Sequence, residues 1–254
     1  MIIRIKILVL MMMVPLLSGC SPKEAAPAQF RVGQFLFSTQ NATITLYDGK
    51  QEKTSLKLKY GKLSNYTSLE AKIYFIKVWA DGKLLLEKKI GMGRDGRYTL
   101  VLTGIPEKNQ PVNRKSTMQK LHTIVEGSEG ITANDYLPQL IVQNDFYIAE
   151  KNTGKIRVMH LMPGAVPFSL DFMNNKGKKE VRSTAYPKSS ETIEVDTGTY
   201  NVHVHFDASL QTVALQKIEI KESVLHSLYV IPAPERYLTD PILVVGSSDK
   251  EKSL

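Results

Sequence analysis

One cysteine and one tryptophan stand in 254 residues, and neither sign of charge is in large excess. A single cysteine closes no intramolecular disulfide and builds no thiolate metal cluster, so the fold must rest on its own apolar core. The longest apolar stretch, Ile7 to Leu17, has eleven residues, short of the roughly 20 that a spanning helix needs. A G-x-S-x-G nucleophile elbow, an H-E-x-x-H helix and a P-loop are all missing, which removes the commonest hydrolase and nucleotide signatures. Sustained 3.6-residue amphipathic patterning is missing too, which argues against helical architectures. What is present is 43% hydrophobic, 23% charged and 8% aromatic, an ordinary globular composition that excludes wholesale disorder and a polytopic membrane protein. With 33 Lys and Arg against 25 Asp and Glu, the formal charge of +8 directs electrostatic attraction toward anions. The excess is too modest to predict a nucleic-acid partner.

The N-terminus reads as an export signal. Arg4 and Lys6 precede the apolar run, and Leu17-Ser18-Gly19-Cys20 follows it, as in a cleavable signal peptide. This tetrapeptide resembles the bacterial lipobox, in which the cysteine is acylated before cleavage. Residues 1–19 are therefore expected to be a signal peptide and Cys20 the lipidated N-terminus of the mature chain, on the extracytoplasmic face of a cell membrane. Residues 20–29 contain two prolines and no large apolar side chain, as expected of a tether.

Beyond Phe30 the hydrophobic period is two. Ala42 to Tyr47 before Asp48-Gly49, Ser55 to Tyr60 before Gly61, Lys72 to Ala80, Lys83 to Ile90 and Arg97 to Thr103 all read as strands. Asp81-Gly82 predicts a tight hairpin and Gly91 to Gly96 a second turn. The pattern also repeats. Phe30-Arg31-Val32 matches Ile156-Arg157-Val158; Tyr74, Ile76, Val78 and Ala80 match Tyr200, Val202, Val204 and Phe206; Tyr98 to Leu102 matches Ser227 to Ile231. The reading is two units, 30–150 and 155–246, followed by a polar tail at 247–254. The first carries an insertion at about 108–135 between two strands.

Arg157-Val158-Met159-His160, Pro163-Gly164-Ala165-Val166-Pro167, the alternating Phe168 to Met173, and Thr197-Gly198-Thr199-Tyr200-Asn201-Val202 resemble the bacterial family catalogued as domain of unknown function 4397. The first unit keeps Arg31-Val32 but has Gln34-Phe35 and Ser38-Thr39-Gln40 where the His and the Pro-rich turn would stand. The resemblance implies an all-β protein of two tandem immunoglobulin-like or transthyretin-like antiparallel β-sandwiches outside the cytoplasm. It implies no activity.

Candidate chemistry is sparse. His203 and His205 lie two apart on one strand, so both project to one face, as two zinc or copper ligands would; the opposite face holds Tyr200, Val202, Val204 and Phe206, which leaves the histidines toward solvent. A third ligand would have to come from Asp207 or a neighbouring strand, and no metal or other cofactor is predicted. Trp79, beside Tyr74 and Phe75, could stack on a sugar if exposed. Lys108, Arg114, Lys115 and Lys120 make the insertion basic. Gly91-Met92-Gly93-Arg94-Asp95-Gly96 matches a dinucleotide fingerprint in spelling only, since a strand rather than a helix follows. His160, alternating with Ile156 and Val158, is expected to pack at a sandwich end with a ring nitrogen satisfied.

These readings favour a non-enzymatic, lipid-anchored envelope protein that binds or scaffolds anionic polymer, polysaccharide or a surface protein. A metal or small-ligand carrier using His203 and His205 is the alternative, and an envelope hydrolase a second one without a supporting motif.

Overall fold

The computed structural model describes residues 26–106, 136–148, 150–206, 212–234 and 236–249. Residues 1–19, expected to be a signal peptide, together with Cys20 and the insertion residues 108–135, lie outside the described residues.

The first unit contains β1 (Ala28–Leu36), β2 (Asn41–Asp48), β3 (Gln51–Lys59), β4 (Lys62–Leu63), β5 (Thr67–Leu69), β6 (Ile73–Ala80), β7 (Lys83–Gly91), β8 (Arg97–Gly104) and β9 (Gln139–Asn144). The second contains β10 (Thr153–His160), β11 (Phe168–Asn174), β12 (Gly177–Thr184), β13 (Ile193–Asp196), β14 (Gly198–Phe206), β15 (Thr212–Ile220), β16 (Val224–Ala233) and β17 (Arg236–Asp249). Each unit is a sandwich of two sheets. In the first, the sheet β3-β2-β6-β7 faces β4-β1-β8-β9, with β5 also on β1; in the second, β12-β11-β14-β15 faces β13-β10-β16-β17. The protein is all-β, with two tandem sandwiches as the sequence implies. They are not purely antiparallel: β1 runs parallel to β8 and β10 parallel to β16.

Two elements differ from expectation. Gly91 to Gly96 does not close a hairpin; it carries the chain from β7 in one sheet to β8 in the other, and Asp95 rather than a glycine takes the left-handed backbone there. Ser247 and Ser248 are not in a tail but in β17, where Ser248 is fully buried. The Asp81-Gly82 hairpin is as expected, with both residues at positive φ (49° and 74°), the geometry of a type I′ turn.

The cores follow the period of two. Phe30, Val32, Leu100 and Leu102 meet Ile44, Leu46, Ile76 and Val78 in the first sandwich; Ile156, Val158, Leu228 and Val230 meet Leu170, Phe172, Val202 and Val204 in the second. Tyr74 and Tyr200 each donate a hydroxyl hydrogen bond to the carbonyl four residues earlier, of Glu70 (2.9 Å) and Asp196 (3.0 Å), a tie like the tyrosine corner of sandwich folds.

A third core joins the units. Phe35 and Val101 of the first pack with Met159, Leu161, Tyr229 and Ile231 of the second, and Phe35 stacks on Tyr229 with ring centres 5.0 Å apart. The sheets containing β1 and β10 are therefore inner layers, covered on both faces, and the other two sheets are outer layers. Beside this apolar patch lies a polar one. Asp145, fully buried at its carboxylate, pairs with Arg157 at 2.5 Å and accepts hydrogen bonds from Thr99 (2.5 Å) and Tyr66 (2.8 Å). Arg157 also donates to Ser227 (2.8 Å); Arg31 donates to Thr99 and to the Ser247 carbonyl, both at 2.8 Å. Burial, and next the nearby Asp145 charge, push the Tyr66 hydroxyl up to about 12.

These contacts fix the relative direction of the units. Ala28, Gly96 and Asn144 share one end of the first sandwich. Thr153, Ser223 and Asp249 share one end of the second, and the Arg31–Ser247 and Arg157–Asp145 contacts place these ends side by side. The described chain enters at this end. Pro106 and Tyr136, which flank the insertion, lie at the opposite, far end next to Gly104.

Candidate binding face

The outer sheet of the first sandwich exposes what most cores would hide. Alternation along β6 sends Tyr74, Ile76, Val78 and Ala80 inward and Ile73, Phe75, Lys77 and Trp79 outward. Ile73, Phe75 and Trp79 are 53%, 47% and 37% exposed, and Leu84 on β7 is 42% exposed. Strand register sets their neighbours. Tyr47, Phe75 and Lys89 form one cross-strand row; Thr45, Lys77 and Glu87 the next; Thr43, Trp79 and Leu84 the row nearest the far end.

Cations lie among these rings. The Lys77 ammonium pairs with Glu87 at 2.8 Å and sits 5.9 Å from the centre of the Tyr47 ring, while that of Lys89 sits 5.5 Å from the Phe75 centre, within cation–π range. The hydrogen bond to Glu87 raises the Lys77 pKa, so Lys77 is a cation throughout the physiological range. Tyr47, Gly49, Lys50, Phe75, Lys77 and Glu87 line a shallow groove of about 440 Å³. Aromatic faces beside fixed cations suit a flat, partly apolar ligand that also carries acceptors or negative charge.

The second sandwich is a built-in control. Superposing the repeats strand on strand puts Met173, Asn201, His203 and His205 where the first has Tyr47, Phe75, Lys77 and Trp79. Both outer sheets cover equivalent cores, so the fold does not require the aromatic surface.

His203 and His205 do share one face, their rings near-parallel with centres 6.2 Å apart. Register adds Asp171, opposite His203 on β11. Its carboxylate is engaged by Lys178 at 2.7 Å and lies 3.0 Å from His205 Nε2, so an ammonium already occupies the place beside the carboxylate. Among the described residues, no group of three or more His, Cys, Asp or Glu side chains is placed to hold a metal ion. Asp207 lies outside the described residues.

His160 is fully buried: Met162 N–H donates to its Nδ1 and its Nε2 donates to the Val166 carbonyl, both at 3.2 Å, with Phe168 stacked at 4.5 Å. Burial depresses its pKa to about 4, which suits a neutral packing residue rather than a proton carrier near neutrality. Cys20, Lys108, Arg114, Lys115 and Lys120 lie outside the described residues.

Sequence reasoning singled out Trp79 with Tyr74 and Phe75 beside it; Phe75, four residues from Trp79 on the same strand, does share its face, whereas Tyr74 is buried in the core. Tyr47 and Lys89 were not singled out, because only the pairing of β2 and β7 with β6 brings them there.

No family model and no curated protein matches the chain. Solved structures give loose likenesses: the Bacillus anthracis TIE protein, 13% identical over 85% of this chain and 34% of that one, TM-score 0.26; the tip fimbrial protein Mfa3 from Porphyromonas gingivalis, 7% identical over 87% and 98%, TM-score 0.25; and the fimbrial anchor protein Mfa2 from the same organism, 10% identical over 89% and 98%, TM-score 0.21. The chain spans only about a third of the first of these, and superpositions this loose carry no argument about what it does.

Proposed function

We propose that this is a non-enzymatic, lipid-anchored protein of the cell envelope, of the kind the domain of unknown function 4397 resemblance suggests, which binds a surface polymer through the outer sheet of its first sandwich. The observation that carries the reading is the outward-facing set Tyr47, Phe75 and Trp79 beside Lys77 and Lys89; the equivalent face of the second sandwich keeps a lysine, Lys217 opposite Asn201, but has Met173, Asn201 and His205 in place of the three aromatic side chains. The basic insertion between Pro106 and Tyr136 leaves the sandwich at the end where Trp79 lies, so Lys108, Arg114, Lys115 and Lys120 extend the reading toward an anionic polysaccharide or wall polymer. Cys20 supplies the anchor.

The test is retention of purified protein on isolated cell envelope. Replacing Phe75 and Trp79 together by Ala should weaken retention at least about tenfold, roughly 1.4 kcal/mol, and replacing His203 and His205 together by Ala should leave it unchanged. Deleting residues 108–120 should reduce retention at low salt more than at high salt, because exposed charges are screened beyond about 8 Å at physiological ionic strength. Retention indifferent to the aromatic substitutions would refute the assignment of this face.

A further inference from the structure

Phe146 and Ile148 are 68% and 71% exposed, more than any other large apolar side chain among the described residues. They stand in the link between the sandwiches, which is held on both sides of Phe146. Asp145 is locked in the buried ion pair with Arg157, and the Tyr147 hydroxyl donates to the Ser223 carbonyl. With Asp145 and Tyr147 drawn inward, the chain presents Phe146 and Ile148 outward, and Phe146 N–H is further fixed by the Asn144 side chain at 2.9 Å. The exposure is a consequence of how the link is pinned.

Their position indicates what covers them. Asn144 lies at the entry end, the end where β1 begins at Ala28. Between Cys20 and Ala28 there are eight peptide links, at most about 3.6 Å each when fully extended, so an acylated Cys20 keeps this end within roughly 30 Å of the bilayer surface. Exposed charges here are of both signs, Arg94, Lys151 and Lys221 with Asp95, Glu150 and Glu222, so attraction to anionic lipid is not what distinguishes this end. Two apolar side chains at the anchored end are.

We propose that Phe146 and Ile148 dip into the interfacial region of the membrane that holds the lipid anchor, as a second contact that sets the molecule upright with the Trp79 end outward. Apolar side chains buried at the headgroup boundary add to membrane attachment in proportion to the apolar area buried, and a second contact beside the anchor fixes which end faces the bilayer. The proposal rests on acylation of Cys20, and its test separates the two.

Ile148→Cys and, as a control at the far end, Leu84→Cys are made in the full-length protein, whose own cysteine is consumed by lipid. The acylated variants carry a polarity-sensitive fluorophore and are reconstituted into phosphatidylcholine vesicles with or without nitroxide-bearing lipid. The expected result is quenching at residue 148 at least threefold stronger than at residue 84, lost from residue 148 when Phe146→Ser is added. Protein that cosediments with vesicles yet shows equal quenching at the two sites overturns the membrane contact and leaves the anchor intact. Protein that never cosediments overturns the anchor and the contact with it. Shielding of residue 148 that tracks protein density rather than nitroxide lipid would mean that a second copy covers the patch, which also overturns the proposal.

Discussion

Two side chains at matching places in the repeats show how little freedom one position has. Where the second unit has His160, the first has Gln34. Leu36 N–H donates to Gln34 Oε1 at 2.6 Å and Gln34 Nε2 donates to the Thr39 carbonyl at 3.0 Å, the pattern that Met162 and Val166 make with the imidazole. An amide offers an acceptor oxygen and a donor nitrogen, as neutral imidazole offers an acceptor nitrogen and a donor nitrogen. The position therefore calls for a bidentate clamp on the turn that follows, and chemistry at His160 is unnecessary to explain it. His160→Gln should fold. It should also remove an acid sensitivity. The folded-state pKa of about 4 lies below the unfolded value near 6.5, so between these values the unfolded chain binds the extra proton. The contribution is intact above about pH 6.5 and is lost progressively as pH falls toward 4, by on the order of 3 kcal/mol in total. Urea unfolding of wild type and His160→Gln from pH 7.5 to 4 checks this; equal pH slopes for the two would show that His160 is not the group responsible.

At the scale of elements, inner and outer strands differ in how they read. On outer β6 and β14 buried residues alternate with others, whereas β16 is buried along nearly its whole length and β1, β8 and β10 along most of theirs. Parallel pairs tolerate solvent poorly and are usually covered on both sides, and here the parallel ladders β1–β8 and β10–β16 occupy the inner layers. The second covered face is polar where Arg31, Thr99, Asp145, Arg157 and Ser227 meet. Close approach is required there: a Cβ on Gly246 would come 2.7 Å from Leu63 and 3.0 Å from the Arg31 guanidinium. Removing the carboxylate in Asp145→Ala leaves Arg157 buried without its counter-ion, for which about 3–5 kcal/mol of destabilisation is expected. Removing the charges together, as Asp145→Leu with Arg157→Met, should cost much less than the single change. Thermal or urea melts of the two variants distinguish a buried ion pair from a surface one, for which both losses would stay near about 1 kcal/mol.

At the scale of the whole molecule, each sandwich has its own core, and the third core makes them partners. A fragment beginning at Lys155 keeps the second core but uncovers Met159, Leu161, Tyr229 and Ile231. Each side chain fully uncovered forfeits about 1.5–3 kcal/mol, and together they form the kind of apolar patch that drives association. The fragment should fold cooperatively, melt below the intact protein and self-associate, as calorimetry and sedimentation would show. A fragment as stable and monomeric as the intact chain would mean that the junction contributes little.

Several features were legible from the residues alone because they depend on local periodicity. Alternation marks Tyr74 against Phe75, Asp-Gly marks the Asp81-Gly82 hairpin, and recurrence of Arg-Val and of the Tyr-led strand marks two copies of one all-β unit. His160 as a packed histidine was legible for the same reason. The surface made by Tyr47, Phe75, Trp79 and Lys89 was not, since its rows exist only once β2, β6 and β7 pair in one register. Nor was the role of Arg31 and Arg157: each reads as a charged residue in a strand, which by alternation alone belongs in solvent. Only tertiary structure lays one sandwich on the other, turns that face inward, and brings Asp145 and Ser247 from distant parts of the chain to meet them. Sequence period determines which side of a strand a residue takes, whereas what lies on that side is decided by packing between segments that the chain brings together only in three dimensions.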